Sequence, residues 1–215
     1  MIAYLLLTTL VTAPMAVAKP LAEEKAEKTE KKERASSPVI GDKAPTFELE
    51  VNDGSGNFDL SDYLGKTVVL EWFNPACPFV VAAHEGEGAL VDLPAKHISD
   101  EVVWVAINST SEGNKGFKPD ENEDAKMKWK MDYPILRDPS GEVGRMYNAR
   151  TTPHMFIVGP KGNLIYDGAV DNQPRGKGER AYTNYVANAL KSVQKDMKVK
   201  TSKTKPYGCS VKYAD

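Results

Sequence analysis

The stretch Val69–Val80, VLEWFNPACPFV, decides the fold of this chain. Its first residues continue a β-branched and aromatic run that begins at Thr67, which is typical of a buried core strand. Pro78 follows Cys77 at a position suited to the first turn of a helix, where no backbone donor is needed. The sequence therefore predicts a strand, a turn that carries Cys77, and a helix from Pro78 through Leu93.

Strands and helices alternate on both sides of this segment, and Asn108–Asp124 is a predicted loop. The other predicted strands are Phe47–Val51, a short one near Phe58, Val102–Ile107, Tyr133–Arg137, Met155–Val158 and Leu164–Asp167. The other predicted helices are Ser61–Leu64, Ala125–Lys130, Glu142–Tyr147 and Arg180–Met197. This order predicts an α/β fold with a central mixed β-sheet flanked by helices.

Composition excludes several classes of protein. With 215 residues, 41% hydrophobic and 27% charged, the chain has room for one globular domain with tails. The 28 Lys+Arg against 30 Asp+Glu give a net charge of −2, so no basic footprint for nucleic acid is present. Two cysteines are too few for an all-cysteine zinc site but suffice for one redox pair.

The N-terminal residues read as a targeting segment. Ile2–Ala18 contains no charged side chain, is rich in leucine, and ends in the small-x-small pattern Ala16-Val17-Ala18. We expect residues 1–18 to be a signal peptide cleaved after Ala18, which places the protein in the periplasm or outside the cell. An uncleaved membrane anchor is the alternative; otherwise the protein is not an integral membrane protein.

Three further segments follow the signal peptide. Residues 19–37 are so highly charged that they predict a disordered linker. Residues 38–197 carry the alternating strands and helices and form the predicted folded domain. Residues 198–215 form a C-terminal tail that has no helical or strand periodicity and contains the second cysteine, Cys209.

The position of Cys77 predicts a reactive thiol. A turn between a strand and a helix places the sulfur at the helix N-terminus, where free N–H groups and the helix dipole stabilise an anion. An ordinary cysteine is only about 3% thiolate at pH 7, and this environment can bring that fraction near one half. A buried structural cysteine is the alternative interpretation.

Three motifs together carry a family resemblance. Val69–Val80, the segment Thr151–Val158 (TTPHMFIV) and the turn Asp138-Pro139-x-Gly141 resemble the thioredoxin-like redoxin (AhpC/TSA) family. The resemblance covers about Pro38–Leu190. It implies a thioredoxin-like fold and thiol-based redox chemistry at Cys77.

The resemblance also implies a substrate-binding surface. Pro153 matches the cis-proline that faces the nucleophile in this superfamily, and Thr152 would offer its backbone to a substrate disulfide or peptide. Pro78 and Phe79, which follow Cys77, complete the expected substrate-binding residues.

The chain departs from two patterns within the superfamily. The box Cys77-Pro78-Phe79-Val80 has valine where thioredoxins have a resolving cysteine. Asn74 and Leu70 stand where peroxiredoxins have a hydroxyl residue and a proline. Fast peroxide reduction is therefore not expected from the motif.

Cys209 supplies the missing thiol in our interpretation. It lies 132 residues after Cys77 within KPYGCSVKY, whose aromatic residues and valine call for a docking surface. Because similar redoxin-like proteins end in such a tail, the resemblance implies that it folds back over the active site and that Cys209 resolves Cys77. A permanent structural disulfide is the alternative.

Two further side chains are candidates for a role near Cys77. Glu71 has the offset of the buried acid of thioredoxins, and burial would favour its protonated form, so that it could pass a proton to a leaving thiolate. An outward-facing strand residue is the alternative. His84 could share a copper site with Cys77, but copper-binding relatives use two nearby cysteines, so neither a metal nor a cofactor is predicted.

These observations predict an enzyme: an exported thiol–disulfide oxidoreductase with Cys77 as nucleophile and Cys209 as resolving residue. Its expected partners are thiols or disulfides of proteins or small molecules, together with an external electron donor. One alternative is a thiol peroxidase that forms a Cys77 sulfenate. The other is a non-catalytic binding domain held by a Cys77–Cys209 disulfide.

Overall fold

The computed structural model describes residues 37–174 and 181–214, which form nine strands and five α-helices. The strands are β1 (Glu48–Val51), β2 (Asn57–Asp59), β3 (Thr67–Trp72), β4 (Val102–Asn108), β5 (Ile135–Arg137), β6 (Thr151–Thr152), β7 (His154–Val158), β8 (Leu164–Gly168) and β9 (Cys209–Ser210). The helices are α1 (Pro78–His84), α2 (Leu93–His97), α3 (Pro119–Lys128), α4 (Glu142–Met146) and α5 (Tyr185–Gln194), and a 3₁₀ turn spans Leu60–Tyr63.

Seven of these strands form one mixed sheet in the order β2-β1-β5-β4-β3-β7-β8. Strands β3, β4 and β5 run parallel, whereas β7 and β8 extend the sheet antiparallel on one side and β1 and β2 on the other. The mixed sheet with flanking helices confirms the predicted architecture. Strands β6 and β9 form a separate two-stranded sheet.

Strand β3 lies inside the sheet, between β4 and β7, and is buried along its whole length. Alternate residues point to opposite faces. Leu70 and Trp72 pack in the hydrophobic core on one face, whereas Val69 and Phe73 pack on the other, in the core that includes Cys77. A strand covered on both faces accounts for the nearly continuous apolar sequence of Thr67–Phe73.

The predicted helix Pro78–Leu93 is wrong in length. Helix α1 ends at His84, and the chain then turns, with Gly86 at a φ of 60°. A Cβ atom at Gly88 would lie 2.3 Å from the carbonyl oxygen of Ala83, so this close return of the chain requires glycine. A second short helix, α2, follows.

The predicted loop Asn108–Asp124 is also partly wrong, because α3 begins within it at Pro119. Proline at the first helical position needs no backbone hydrogen-bond donor there. The backbone N–H of Lys118, the N-cap, donates to the Glu121 carboxylate, which satisfies one of the free donors at this end. The high polarity of this helix concealed it in the sequence pattern.

Residues 1–36 lie outside the described residues, and with them the predicted signal peptide and nearly all of the predicted linker. Within the described ranges, no helix has both the length and the apolar character needed to cross a membrane.

Replacing Leu70 by alanine should lower the free energy of unfolding by about 2–5 kcal/mol, because a fully buried leucine leaves a cavity in the core. Chemical denaturation followed by circular dichroism measures this change. Leu64→Ala is the matched control, since Leu64 is 67% exposed, and its effect should stay within about 0.5 kcal/mol. Equal effects of the two substitutions would contradict the assignment of β3 to the core.

Candidate active site

Cys77 lies on the turn between β3 and α1, where it is the N-cap residue of the helix. Its backbone N–H donates to the Asn74 carbonyl at 3.0 Å, and its own carbonyl accepts from the Val81 N–H at 3.0 Å. The residue is only 3% exposed, whereas Pro78, the first residue of the helix, is exposed. The predicted strand–turn–helix unit is thus present, with the thiol facing inward.

Asn74 holds this turn in place through its side-chain amide. Its Oδ1 atom accepts from the Ala76 N–H at 2.7 Å, and its Nδ2 atom donates to Thr110 Oγ1 at 2.9 Å and to the Lys115 carbonyl at 3.1 Å. A Cβ at Gly116 would come within 2.2 Å of Asn74 Oδ1. The residue in the place of the peroxiredoxin hydroxyl therefore ties the Cys77 turn to the segment after β4.

The second component of the site is the loop that precedes β7. The peptide bond between Thr152 and Pro153 is cis, as the resemblance implies. The Cys77 thiol donates to the Thr152 carbonyl with 3.0 Å between sulfur and oxygen. Both residues of the cis bond are buried, so this loop forms a wall directly against the sulfur.

The C-terminal tail is the third component. Strand β9 pairs antiparallel with β6, so that Cys209 is the partner of Thr152 and Ser210 is the partner of Thr151. This pairing places the Cys209 Sγ atom 2.6 Å from the Cys77 Sγ atom, with both residues present as free cysteines. The tail therefore meets Cys77 as the resemblance implies.

Gly208 allows the tail to come this close. Its φ is 137°, and a Cβ at this position would lie 2.1 Å from the Thr152 carbonyl oxygen. Any side chain would therefore collide with the backbone that β9 pairs with. The glycine immediately before Cys209 is a requirement of the docked tail.

Contacts on both sides of Cys209 anchor the tail. On the N-terminal side, the Tyr207 hydroxyl donates to the Asp171 carboxylate, and its ring lies 6.3 Å from that of Phe79 on α1. On the C-terminal side, the Tyr213 hydroxyl donates to the Ala149 carbonyl at 2.7 Å. Cys209 is therefore held between two anchored tyrosines.

A further contact fixes the earlier part of the tail to the edge strand β8. The Thr204 N–H donates to the Asp167 carbonyl at 3.0 Å, and the Asp167 N–H donates to the Ser202 carbonyl at 3.0 Å. The Lys203 ammonium lies 2.9 Å from the Asp167 carboxylate. The tail thus follows the sheet edge before it reaches the cysteine pair.

The two thiols have opposite electrostatic environments. Burial raises the pKa of Cys77, but hydrogen bonds from the Cys209 and Thr152 side chains and from the Val80 backbone outweigh it and hold that pKa below the ordinary value. Burial, the hydrogen bond to Cys77 and the Cys77 charge raise the pKa of Cys209 to about 11. The pair therefore carries its negative charge on Cys77, the sulfur suited to nucleophilic attack.

Glu71 lies in the same core as Cys77 but bonds to other residues. It is 0% exposed, which excludes an outward-facing position. Its carboxylate accepts from Trp104 Nε1 at 3.2 Å and from the Tyr133 hydroxyl at 3.3 Å, and it lies 2.8 Å from His84 Nε2. The hydrogen bonds described for Glu71 thus go to three side chains, and neither cysteine is among them.

His84 and His154 both make internal contacts. His84 pairs with Glu71 and its ring stacks on that of Trp129 at 4.9 Å. His154 is buried, lies 2.8 Å from Asp167 through Nε2, and accepts the Arg150 N–H at Nδ1. Within residues 37–174 and 181–214, no three His, Cys, Asp or Glu side chains are arranged to hold a metal ion.

The structure thus brings together Cys77, Cys209, Thr152, Pro153, Pro78 and Phe79 from the sequence prediction. Asp171, which accepts the hydrogen bond from Tyr207 of the tail, was not predicted from the sequence. Its only signal is a carboxylate after a hairpin strand, and that pattern is common on protein surfaces. The role of Gly208 was not predicted either, although a glycine directly before a tail cysteine was visible in the sequence.

The cis-proline loop, the cysteine at a helix N-terminus and the mixed sheet together define a protein of thioredoxin-like fold. The redoxin family profile matches residues 40–186, and the chain belongs to that family. Family membership supports a thiol-based redox role. No curated protein matches the chain.

Two solved structures are similar to this chain over most of its length. A hypothetical protein from Sinorhizobium meliloti is 25% identical, with a TM-score of 0.73 over 83% of this chain and 97% of its own. An uncharacterized conserved protein from Geobacillus kaustophilus is 26% identical, with a TM-score of 0.73 over 82% of this chain and 93% of its own.

A more distant likeness concerns the fold alone. A Chlorobium tepidum protein described as a thiol:disulfide interchange protein, DsbE, is 23% identical. It aligns with a TM-score of 0.50 over 61% of this chain and 85% of its own.

Replacing Gly208 by alanine should displace the tail, because the added Cβ collides with the Thr152 carbonyl. We expect iodoacetamide to modify Cys77 of the reduced protein at least several times faster, since the thiol loses its cover. Mass spectrometry of the Cys77 peptide over time measures the rate.

Gly56→Ala is the matched control for this substitution. Gly56 has a φ of 141°, close to that of Gly208, but a Cβ there would meet no atom within 4 Å. It imposes the same backbone strain without a collision, and Cys77 should remain as slow to react as in the unmodified protein. Equal acceleration in both variants would show that strain, rather than lost cover, is the cause.

Cys209→Ala should raise the pKa of Cys77, because it removes a hydrogen bond that favours the thiolate. Only the thiolate is alkylated, so the half-maximum of Cys77 alkylation should move to higher pH. Cys209→Ser, which keeps a hydroxyl donor, should move it less. An unchanged pH profile in the alanine variant would show that Cys209 does not stabilise the Cys77 thiolate.

Proposed function

We propose that this protein is an exported thiol–disulfide oxidoreductase in which Cys77 is the nucleophile and Cys209 the resolving residue. The observation that carries the proposal is the 2.6 Å separation of the two sulfurs under a docked tail. The lower pKa of Cys77 supports its assignment as the attacking thiol. Export is proposed from the sequence of residues 2–18.

The reaction begins with the reduced protein. The Cys77 thiolate attacks one sulfur of a partner disulfide, a mixed disulfide forms, and the partner's other sulfur leaves as a thiolate. Cys209 then passes its proton to the partner's released thiolate and attacks the Cys77 sulfur, from which the partner's second sulfur leaves as a thiolate. The partner departs with two additional electrons, and the protein retains a Cys77–Cys209 disulfide until an external thiol donor reduces it.

The neighbouring residues would assist both steps. Thr152 and Pro153 form the wall against which the reacting sulfurs lie, and the α1 amide groups that follow Pro78 favour a negative charge at the site. A proton-transfer role for Glu71 stays a prediction, because its described partners are His84, Trp104 and Tyr133.

Two alternatives remain as outcomes of the test. A peroxidase would need a group that orients peroxide beside Cys77, yet the Asn74 amide already bonds to Ala76, Thr110 and Lys115. A binding domain with a fixed Cys77–Cys209 bond would need a disulfide that resists cellular reductants. The peroxidase differs from the proposal in the oxidant that it uses. The binding domain differs in the reduction potential of the Cys77–Cys209 bond.

We expect titration of the purified protein in a dithiol redox buffer to give a Cys77–Cys209 disulfide with a potential of about −200 mV. A value below about −300 mV would indicate a structural bond. Peptide mapping under non-reducing conditions identifies the linkage. Cysteines that never pair would end the assignment of Cys209 as the resolving residue.

The Cys209→Ser variant separates the two chemical steps. With a disulfide substrate it should stop at a mixed disulfide on Cys77, because no thiol remains to release the partner. The matched Cys77→Ser variant should form no such adduct at comparable rates. If hydrogen peroxide oxidises the reduced protein faster than a disulfide does, the peroxidase alternative replaces the proposal.

A further inference from the structure

The backbone that would receive a partner peptide is already occupied in this protein. The resemblance implies that Thr152 offers its backbone to a substrate, but in the structure it pairs with Cys209 in the β6–β9 sheet. The Thr152 carbonyl also accepts a hydrogen bond from the Cys77 thiol. An external thiol could pair at this position only after β9 had left.

The docked tail also determines which sulfur a donor can approach. Cys77 is 3% exposed and lies between α1, the cis-proline loop and β9. Cys209 is partly exposed, its neighbour Gly208 has no side chain, and its other neighbour Ser210 is exposed. A donor that approaches Cys209 from its exposed side therefore need not separate β9 from β6.

The hydrogen bonds at the site favour the same direction of attack. If a donor attacks Cys209, the sulfur that leaves is Cys77, which hydrogen bonds from the Thr152 side chain and from the Val80 and Cys209 backbone stabilise as a thiolate. If a donor attacks Cys77, the sulfur that leaves is Cys209, whose pKa is raised to about 11. Exchange is faster when the leaving thiol has the lower pKa.

We propose that the electron donor attacks the Cys209 sulfur of the oxidised protein while the tail remains docked, and that Cys77 is the leaving group. This inference rests on the proposed function, since it concerns the reduction of the Cys77–Cys209 disulfide. It assigns to Cys209 a second role, as the residue that receives electrons from outside.

The electrons and atoms balance in two exchanges. The donor thiolate forms a bond to Cys209 Sγ, the Cys77–Cys209 bond breaks, and its electron pair stays on Cys77 as a thiolate. A second donor thiolate then attacks the donor sulfur of the mixed disulfide and releases the Cys209 thiolate, which takes up a proton. The protein gains two electrons, and two donor thiols become one donor disulfide.

The test treats the oxidised full-length protein with a limiting amount of isotopically labelled glutathione. Samples are quenched at successive short times with acid and excess N-ethylmaleimide, and peptide mapping locates both labels. We expect the earliest samples to carry glutathione on Cys209 and maleimide on Cys77, in about tenfold excess over the reverse arrangement. Glutathione found first on Cys77 would overturn the inference.

Two variants show whether the docked tail selects the sulfur. In Gly208→Ala the displaced tail uncovers Cys77, so the share of glutathione on Cys77 should rise several-fold. Gly56→Ala, which strains the backbone without a collision, should keep the original distribution. The same distribution in all three proteins would overturn the assignment of this selection to the tail.

Failure of this inference is distinguishable from failure of the proposed function. If the untreated oxidised protein contains no Cys77–Cys209 bond, the proposed function fails and the inference fails with it. If the bond is present and glutathione appears first on Cys77, only the inference fails.

Discussion

The antiparallel pairing of Thr152 with Cys209 holds the reactive part of this molecule together. It places the second sulfur beside Cys77, it covers the first sulfur, and it occupies the backbone next to the cis-proline. The close approach depends on Gly208, because a side chain there would meet the Thr152 carbonyl. A pairing of two residues per strand therefore determines how accessible Cys77 is, which sulfur carries the negative charge and how far apart the two sulfurs lie.

The two cysteines are the same residue type, and only their surroundings separate their roles. Cys77 is the N-cap of a helix and receives several hydrogen bonds that favour a thiolate, whereas Cys209 faces the Cys77 charge and retains its proton. Val80 takes the position that holds a second thiol in the C-x-x-C arrangement. The resolving sulfur therefore stands on a separate strand, where docking of the tail controls its distance from Cys77.

Local sequence patterns predicted the features that depend on neighbouring residues. The apolar run of β3 and the proline after Cys77 gave the strand and the turn, whereas the cis-proline loop was implied by the family resemblance. The end of α1 at His84 was predicted wrongly, because the chain returns on itself at Gly88. Features that depend on distant contacts were missing. The partners of Glu71 lie on other elements and have no signature near it. Docking of the tail was expected from family resemblance together with its aromatic residues.

The separation of 132 residues between the two sulfurs also has a consequence for biosynthesis. A ribosome makes the chain from its N-terminus, so Cys77 and its surrounding sheet exist well before Cys209. During that interval the Cys77 thiol has no internal partner and is open to capture by any disulfide in its compartment. Arrival of the tail ends that exposure. A Cys77–Cys209 bond consequently marks a molecule whose synthesis has proceeded past its last strand, β9.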